Sequence, residues 1–168
     1  MKKLWIGLLV FGFATQLMFS QIEKLPEINI TVNYKYLNSI NAENQDVDLR
    51  VKSLEEDVAF YNLKESDFYK DEYTSYYVSF FIPQGKIVAA YDKDGKIIRT
   101  IERFKNIKLP QAVIASIAEE YPKWSIMGDA YKVEYRDGNE VAKKQYKVKL
   151  EKNNKKMTVK VNENGEFM

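Results

Sequence analysis

The sequence of 168 residues contains neither cysteine nor histidine. Without cysteine the chain cannot form a disulfide, a thiolate metal site or a thiol nucleophile. Without histidine it lacks the commonest general base and the commonest transition-metal ligand, so a Ser-His-Asp triad is excluded. We therefore expect a non-enzymatic protein with no catalytic residues, no metal site and no cofactor.

The chain also has little excess of either charge, since it contains 26 Lys and Arg residues and 24 Asp and Glu residues. The excess comes from Lys2 and Lys3, which precede an apolar stretch from Leu4 to Phe19 and a small residue, Ser20. This order is typical of a secretory signal peptide over residues 1–20. The stretch is shorter than the ~20 residues that span a membrane, although a retained anchor is the alternative.

We expect a periplasmic or secreted protein that keeps no stable membrane anchor after cleavage. Removing residues 1–20 leaves 24 basic residues against the same 24 acidic ones, so the mature chain has no net charge. A neutral exported chain is not expected to bind nucleic acid.

The first part of the mature chain predicts a linker and an N-terminal strand over residues 21–46, with the strand at Ile28–Tyr34. From residue 47 the apolar period changes to that of an amphipathic helix, which we place at 47–61 with Asp48 as N-cap. Its stripe is Val47, Val51, Leu54, Val58 and Tyr61. The opposite side, with Lys52, Glu55 and Glu56, is expected to be solvated.

The remaining pattern predicts strands at 73–82, 86–92 and 96–103, a helix at 110–121, and strands at 129–136, 143–151 and 155–162. A helix followed by three strands thus occurs twice. We predict an α+β protein of two tandem repeats, 47–104 and 105–168, each a helix on a three- to four-stranded antiparallel sheet. Residues 91–98 and 161–168 match at an offset of 70, each with an Asx-rich turn and a glycine.

These halves resemble the PepSY-like, beta-lactamase-inhibitor-like (BLIP-like) modules of exported bacterial proteins. The matching stretches are 89–98, 107–113, 120–124 and 159–167, namely AAYDKDGKII, IKLPQAV, EYPKW and VKVNENGEF. The resemblance implies a helix laid on an antiparallel sheet, repeated, and a role in binding or inhibiting another protein. It implies no catalytic residue.

Strand alternation in the second half predicts which residues are core. The apolar side carries Tyr131, Val133, Tyr135, Tyr146, Val148, Leu150, Met157, Val159 and Val161. The other side carries Lys132, Glu134, Arg136, Lys147, Lys149, Thr158 and Lys160. This basic side could face an anionic partner, or it could be a solvated surface that prevents edge pairing.

The strand at 73–82 lacks charge on either side. If Thr74, Tyr76, Val78, Phe80 and Ile82 are core, the other side is an aromatic row with Tyr73, Tyr77 and Phe81. Pairing through a Gln84-Gly85 turn would place Phe81 opposite Val88. The side that Ile97, Arg99 and Ile101 join depends on the length of the 93–95 turn.

Aromatic side chains of this kind are enriched at interface hot spots, so Tyr73, Tyr77, Phe81 and Val88 are the candidate partner-binding residues. We predict an exported protein-binding module, with inhibition of a periplasmic protein as its candidate role. The alternative is a structural or stress-related envelope protein in which this face is internal and Tyr73 and Tyr77 are buried. Enzyme readings are weaker, because the adjacent acids Glu55/Glu56 and Glu119/Glu120 point apart on their helices.

Overall fold

The computed structural model describes residues 32–41 and 46–168. Within these ranges the chain forms three α-helices, a short 3-10 helix at Leu63–Glu65 and six β-strands. The helices are α1 (Tyr34–Asn41), α2 (Leu49–Phe60) and α3 (Gln111–Glu120). The strands are β1 (Ser75–Ile82), β2 (Gly85–Asp92), β3 (Ile97–Lys105), β4 (Ser125–Arg136), β5 (Lys143–Lys152) and β6 (Lys155–Val161). The predicted signal peptide and residues 28–31 of the predicted N-terminal strand lie outside the described residues.

Helix α1 occupies a segment that we predicted as a strand end followed by a polar stretch. Val32 and Asn33 belong to no strand and Tyr34 begins the helix, so the strand prediction is wrong at all three of its described residues. Tyr36 and Ile40, four residues apart, are buried on one side of α1, and the Tyr36 ring meets the Tyr135 ring edge-on at 5.3 Å. Packing against the sheet stabilises this two-turn helix, which would not persist alone in water.

Helix α2 begins where the sequence predicts. Asp48 Oδ1 accepts a hydrogen bond from the Arg50 backbone N–H at 3.0 Å, which confirms the N-cap. Val51, Leu54 and Val58 of the predicted stripe are buried. Glu55, which we expected to be solvated, is buried as well, so that expectation is wrong.

The six strands form a single antiparallel sheet in sequence order, β1 to β6. Its continuity across the predicted repeat boundary comes from β3 and β4, which pair from Arg99 opposite Arg136 to Lys105 opposite Ala130. The α+β class is therefore confirmed. The division into two tandem repeats stays a prediction, because both predicted halves contribute to one sheet.

The two turns at the offset of 70 have the same hydrogen bonds. Asp92 Oδ1 accepts from the N–H groups of Asp94 and Lys96, and Asn162 Oδ1 accepts from those of Asn164 and Glu166. Gly95 and Gly165 follow with φ of 81° and 88°, a region that glycine adopts without steric cost. The offset equates β1–β2 with β5–β6, so β4 has no counterpart in the first half.

The core lies between the helices and one side of the sheet, which we call the covered face. All predicted core residues of β4, β5 and β6 are buried there except Met157, which is half-buried. In β1 Tyr76 is buried and its alternates Val78, Phe80 and Ile82 are half-buried. Thr74 precedes the strand and is exposed, so its assignment to the core is wrong.

Candidate functional site

The opposite side of the sheet, which we call the open face, carries the candidate site. Antiparallel sheets commonly pack one face on helices and present the other to water. The aromatic residues are at the β1 edge of the open face, and the basic residues occupy its middle and far strands. The strand residues on this face are Ser75, Tyr77, Ser79 and Phe81 of β1; Lys86, Val88, Ala90 and Asp92 of β2; Arg99, Ile101, Arg103 and Lys105 of β3; and their partners on β4, β5 and β6.

The aromatic row is exposed in the described part of the chain. Tyr77 and Phe81 point from β1 with 77% and 67% of their surface accessible. Tyr73 lies two residues before the strand, is 47% exposed, and its ring meets the Tyr76 ring at 6.0 Å. These exposures contradict the alternative in which Tyr73 and Tyr77 are buried. Partner binding by Tyr73, Tyr77, Phe81 and Val88 stays a prediction.

The β1–β2 register differs from the predicted one by two residues. Phe81 lies opposite Lys86, and Val88 lies opposite Ser79, so the predicted Phe81–Val88 pair is wrong. The turn consists of Pro83 and Gln84, and Gly85 already belongs to β2. A two-residue shift preserves the face, so Val88 still lies beside the aromatic row and is half-buried. Gly85 is required at its position because a Cβ there would lie 2.0 Å from the carbonyl oxygen of Arg103.

A β-bulge determines which face of the sheet Ile97, Arg99 and Ile101 join, which the sequence of the 93–95 turn left open. Tyr91 pairs with Ile97, but Ala90 pairs with Arg99, so one extra residue interrupts the alternation of β3. Ile97 consequently joins the covered face, and Arg99 and Ile101 join the open face. Ile101 therefore extends the apolar surface from Val88 toward the middle of the sheet.

Beyond this apolar surface the open face is basic. A cleft of about 500 Å³ begins at Phe81 and the β1–β2 turn and continues over β3, β4 and β5. Its size is within the range of small-molecule and peptide pockets, roughly 300–1,000 Å³. The charged residues that line it are all cations: Lys86, Arg103, Lys105, Lys132 and Lys147.

A pair of carboxyl groups lies in the core, and the residue pattern did not predict it. Glu55 of α2 and Glu102 of β3 are 3% and 0% exposed, and a proton on one carboxyl would let it donate a hydrogen bond to the other. Burial, followed by the neighbouring Glu102 carboxyl, raises the pKa of Glu55 well above its usual range. Burial also raises the pKa of Glu102, although hydrogen bonds from Thr100 and Tyr36 oppose that shift.

This pair does not have the placement of a catalytic site. Two facing carboxyls would serve acid–base hydrolysis only in a concavity that a substrate can enter. Glu55 and Glu102 are instead enclosed between α2 and the covered face. The positions of Glu55 and Glu102 in the sequence do not predict their contact, because only the crossing of α2 over β3 brings them together.

A second buried charge pair joins β5 to the segment after β6. Lys144 Nζ lies 2.5 Å from Glu163 Oε2, and both side chains are almost completely shielded from solvent. Lys144 therefore occupies a covered-face position between apolar neighbours. Ion pairs of this kind are costly to bury and are strongly destabilising to break on one side.

Within residues 32–41 and 46–168, no three potential metal-ligating side chains form a group. Among the helices of that same part, none has the length and apolar character needed to cross a membrane. The Asp92–Gly95 segment is a hairpin turn, in which Asp92 Oδ1 accepts hydrogen bonds from the backbone N–H groups of Asp94 and Lys96.

No family model and no curated protein matches the chain. Among solved structures, the chain is similar to a BLIP-like protein from Bacteroides fragilis, with 18% sequence identity and a TM-score of 0.33. The similarity covers 59% of this chain and 68% of that one. It corresponds to the BLIP-like part of the resemblance noted above, and the PepSY-like part stays a prediction. A TM-score this low carries no argument about function, which is therefore argued from this chain's own side chains.

Proposed function

We propose that the protein is an exported, non-enzymatic protein-binding module that docks its partner on the aromatic edge of the open face. The observation that carries this proposal is the exposure of Tyr77 and Phe81 on one strand, separated by Ser79. A solvated strand face ordinarily carries charge at such positions, and β1 carries none. Export rests on the basic and apolar order of residues 1–20.

The physical basis is the low entropic cost of this surface. Tyr77 and Phe81 stand on a paired strand, so their backbone is ordered before binding, and each aromatic side chain has only two rotatable angles. Val88 and Ile101 lie beside them and would enlarge the apolar area that a partner contacts. Side chains of this type supply most of the binding energy in many protein interfaces.

Affinity capture with paired variants tests the proposal. The mature chain from Gln21 is immobilised and exposed to envelope extract, and bound proteins are identified by mass spectrometry. The double variant Tyr77→Ser/Phe81→Ser should lose the captured partner, because each truncated hot-spot aromatic costs roughly 2 kcal/mol or more. N-terminal sequencing of the secreted protein should begin at or near Gln21.

The matched control is Tyr34→Ser/Phe60→Ser, which removes two exposed aromatic residues from helices α1 and α2. It should retain the partner. Circular dichroism should show both double variants folded, since surface substitutions usually change stability by less than about 0.5 kcal/mol. Equal capture by the wild type and the Tyr77/Phe81 variant would overturn the proposal.

A further inference from the structure

Three cations lie directly opposite one another across the middle of the open face. Lys86 of β2 pairs with Arg103 of β3, and Arg103 pairs with Lys132 of β4. Side chains at such positions have Cβ atoms about 4.5–5.5 Å apart, and like charges there are destabilising. The row begins at Phe81, which is opposite Lys86 and has the Lys86 Nζ 5.8 Å from its ring centre.

A second row lies one step along the strands. Lys105 of β3 is opposite Ala130 of β4, and Ala130 is opposite Lys147 of β5. The small Ala130 side chain leaves space between the two lysines. The two rows together line the 500 Å³ cleft, and Pro83 and Gln84 of the β1–β2 turn line it as well.

The cleft is short of negative charge. Of its five cations, Lys132 alone forms an ion pair with a described residue, its Nζ lying 2.5 Å from Glu134 Oε1. Asp92, Glu134 and Glu151 are the acids among the strand residues of the open face, and none of them lines the cleft. Glu151 already lies 3.7 Å from Lys156. The cation rows thus stand close together with little internal compensation.

We propose that this cleft receives an acidic segment of the protein partner, with two or more Asp or Glu carboxylates between the cation rows and an apolar residue against Phe81. This inference rests on the proposed function and extends it from the aromatic edge to the chemistry of the ligand. A carboxylate between the rows would relieve the repulsion among the cations of β2, β3 and β4. The fixed strand positions preorganise the cations, so little ordering is required on binding.

A protein segment suits this surface better than nucleic acid does. The chain has a pI of about 8.5, below the value above 9 that is usual for nucleic-acid-binding domains. A nucleic acid following the basic strands would also bring phosphates against Glu134 and Glu151. The cleft is continuous with the aromatic edge, so one protein segment can contact Phe81 and the cations together.

The probe is a fluorescein-labelled octapeptide with four glutamates and one phenylalanine, measured by fluorescence anisotropy with the mature protein at 50 mM NaCl. The control peptide has glutamine in place of each glutamate. The acidic peptide should bind, and raising the salt to 300 mM should weaken it several-fold. The glutamine peptide should bind at least about tenfold more weakly.

Two charge-matched variants separate the cleft from general surface charge. Arg103→Glu should weaken the acidic peptide by about tenfold or more, and Arg136→Glu should change it by less than about twofold. Arg136 is also exposed on the open face and also opposes another cation, Arg99, but it does not line the cleft. Each substitution relieves a like-charge pair, so both variants should fold and melt no lower than the wild type.

Three results would overturn the inference: no binding of the acidic peptide at 50 mM NaCl, equal loss in both variants, or tighter binding of a thymidine octanucleotide than of the peptide. None of these depends on Tyr77, so loss of capture by Tyr77→Ser/Phe81→Ser could still support the proposed function. Conversely, equal capture by the wild type and the Tyr77→Ser/Phe81→Ser variant, with intact peptide binding, would contradict docking on the aromatic edge and leave the basic cleft as a site for acidic peptides.

Discussion

At the scale of single residues, Glu55 and Glu102 place two ionisable groups where water cannot reach them. Because Glu102 Oε2 has no other hydrogen-bond donor among the described residues, a proton on Glu55 supplies the missing contact. The unfolded chain would release this proton above a pH of about 4.3. The folded protein retains it to higher pH, since both carboxyl pKa values are raised.

The free energy of unfolding should consequently fall as pH rises above about 4.3, until the pKa values of the folded state are passed. The slope is about 1.4 kcal/mol per pH unit for each retained proton. Glu55→Gln keeps the shape of the side chain and cannot ionise, so it should lose most of this slope and be more stable than the wild type at pH 8. Urea denaturation at pH 6, 7, 8 and 9 measures the free energy of unfolding of the wild type and of the variant.

This pH range separates the buried pair from the carboxylates whose pKa is lowered, although burial also raises the pKa of Asp129. The Arg50 guanidinium lowers the pKa of Asp48, and Lys96 lowers that of Asp137; both groups lose their stabilising effect only as pH falls through their lowered pKa values. Glu56→Gln, the exposed neighbour on α2, is the control and should follow the wild-type curve. Parallel curves for Glu55→Gln and the wild type would contradict a shared buried proton.

At the scale of elements, the sequence predicted the type of each helix and strand better than it predicted which residues pair between strands. Helices α2 and α3 and all six strands lie within a few residues of their predicted positions, because each has a cap, a proline, a turn or a strict alternation. Helix α1 was missed, since two buried residues four apart are too few to define a helical stripe. The register of β1 and β2 was missed because the positions of turn residues do not settle which residues pair.

Asp48 is an element-scale determinant, since it connects the start of α2 to the loop before α3. Besides capping α2, its Oδ2 accepts from the Lys108 backbone N–H at 2.8 Å. Asp48→Ala should lower the free energy of unfolding by about 1–2 kcal/mol at pH 7, because two backbone N–H groups and the Arg50 guanidinium lose their acceptor. Asp48→Asn retains an acceptor and should recover part of that loss.

Urea denaturation monitored by circular dichroism gives these values. The control is Asp57→Ala, an exposed acid in the same helix, which should stay within about 0.5 kcal/mol of the wild type. An Asp48→Ala variant as stable as Asp57→Ala would show that the cap and the Lys108 contact contribute nothing.

At the scale of the whole molecule, one sheet and one core join the two predicted halves. The buried cluster includes Val58 of α2 and Val148 of β5, and the β3–β4 pairing runs over seven residue pairs. Two independent repeats would have separate cores and a weak boundary near residue 104. The continuous arrangement instead favours a single cooperative unfolding transition.

Hydrogen exchange at increasing urea concentration should therefore show β1–β2 and β5–β6 losing protection together. Val58→Ala and Val148→Ala remove buried methyl groups from opposite ends of the core. Each should lower, by the same amount in both regions, the urea concentration at which protection is lost. If each substitution shifted only its own half, the repeats would be independently stable units. Tyr77→Ser, on the open face, serves as the control and should leave the transition in place.

The sequence by itself determined the α+β class, the caps and turns, and the covered face of the second half, because these depend on residues close together in the chain. It also indicated the aromatic row, since an uncharged strand is visible in the sequence. Tertiary structure alone decided the burial of Glu55 against Glu102 and the alignment of Lys86, Arg103 and Lys132. Both depend on contacts between residues 17 to 47 positions apart. The crossing of α2 over β3 brings the two glutamates together, and the registers of β2 with β3 and of β3 with β4 align the three cations. A shift of one residue in either register would have moved the side chains of a whole strand to the other face.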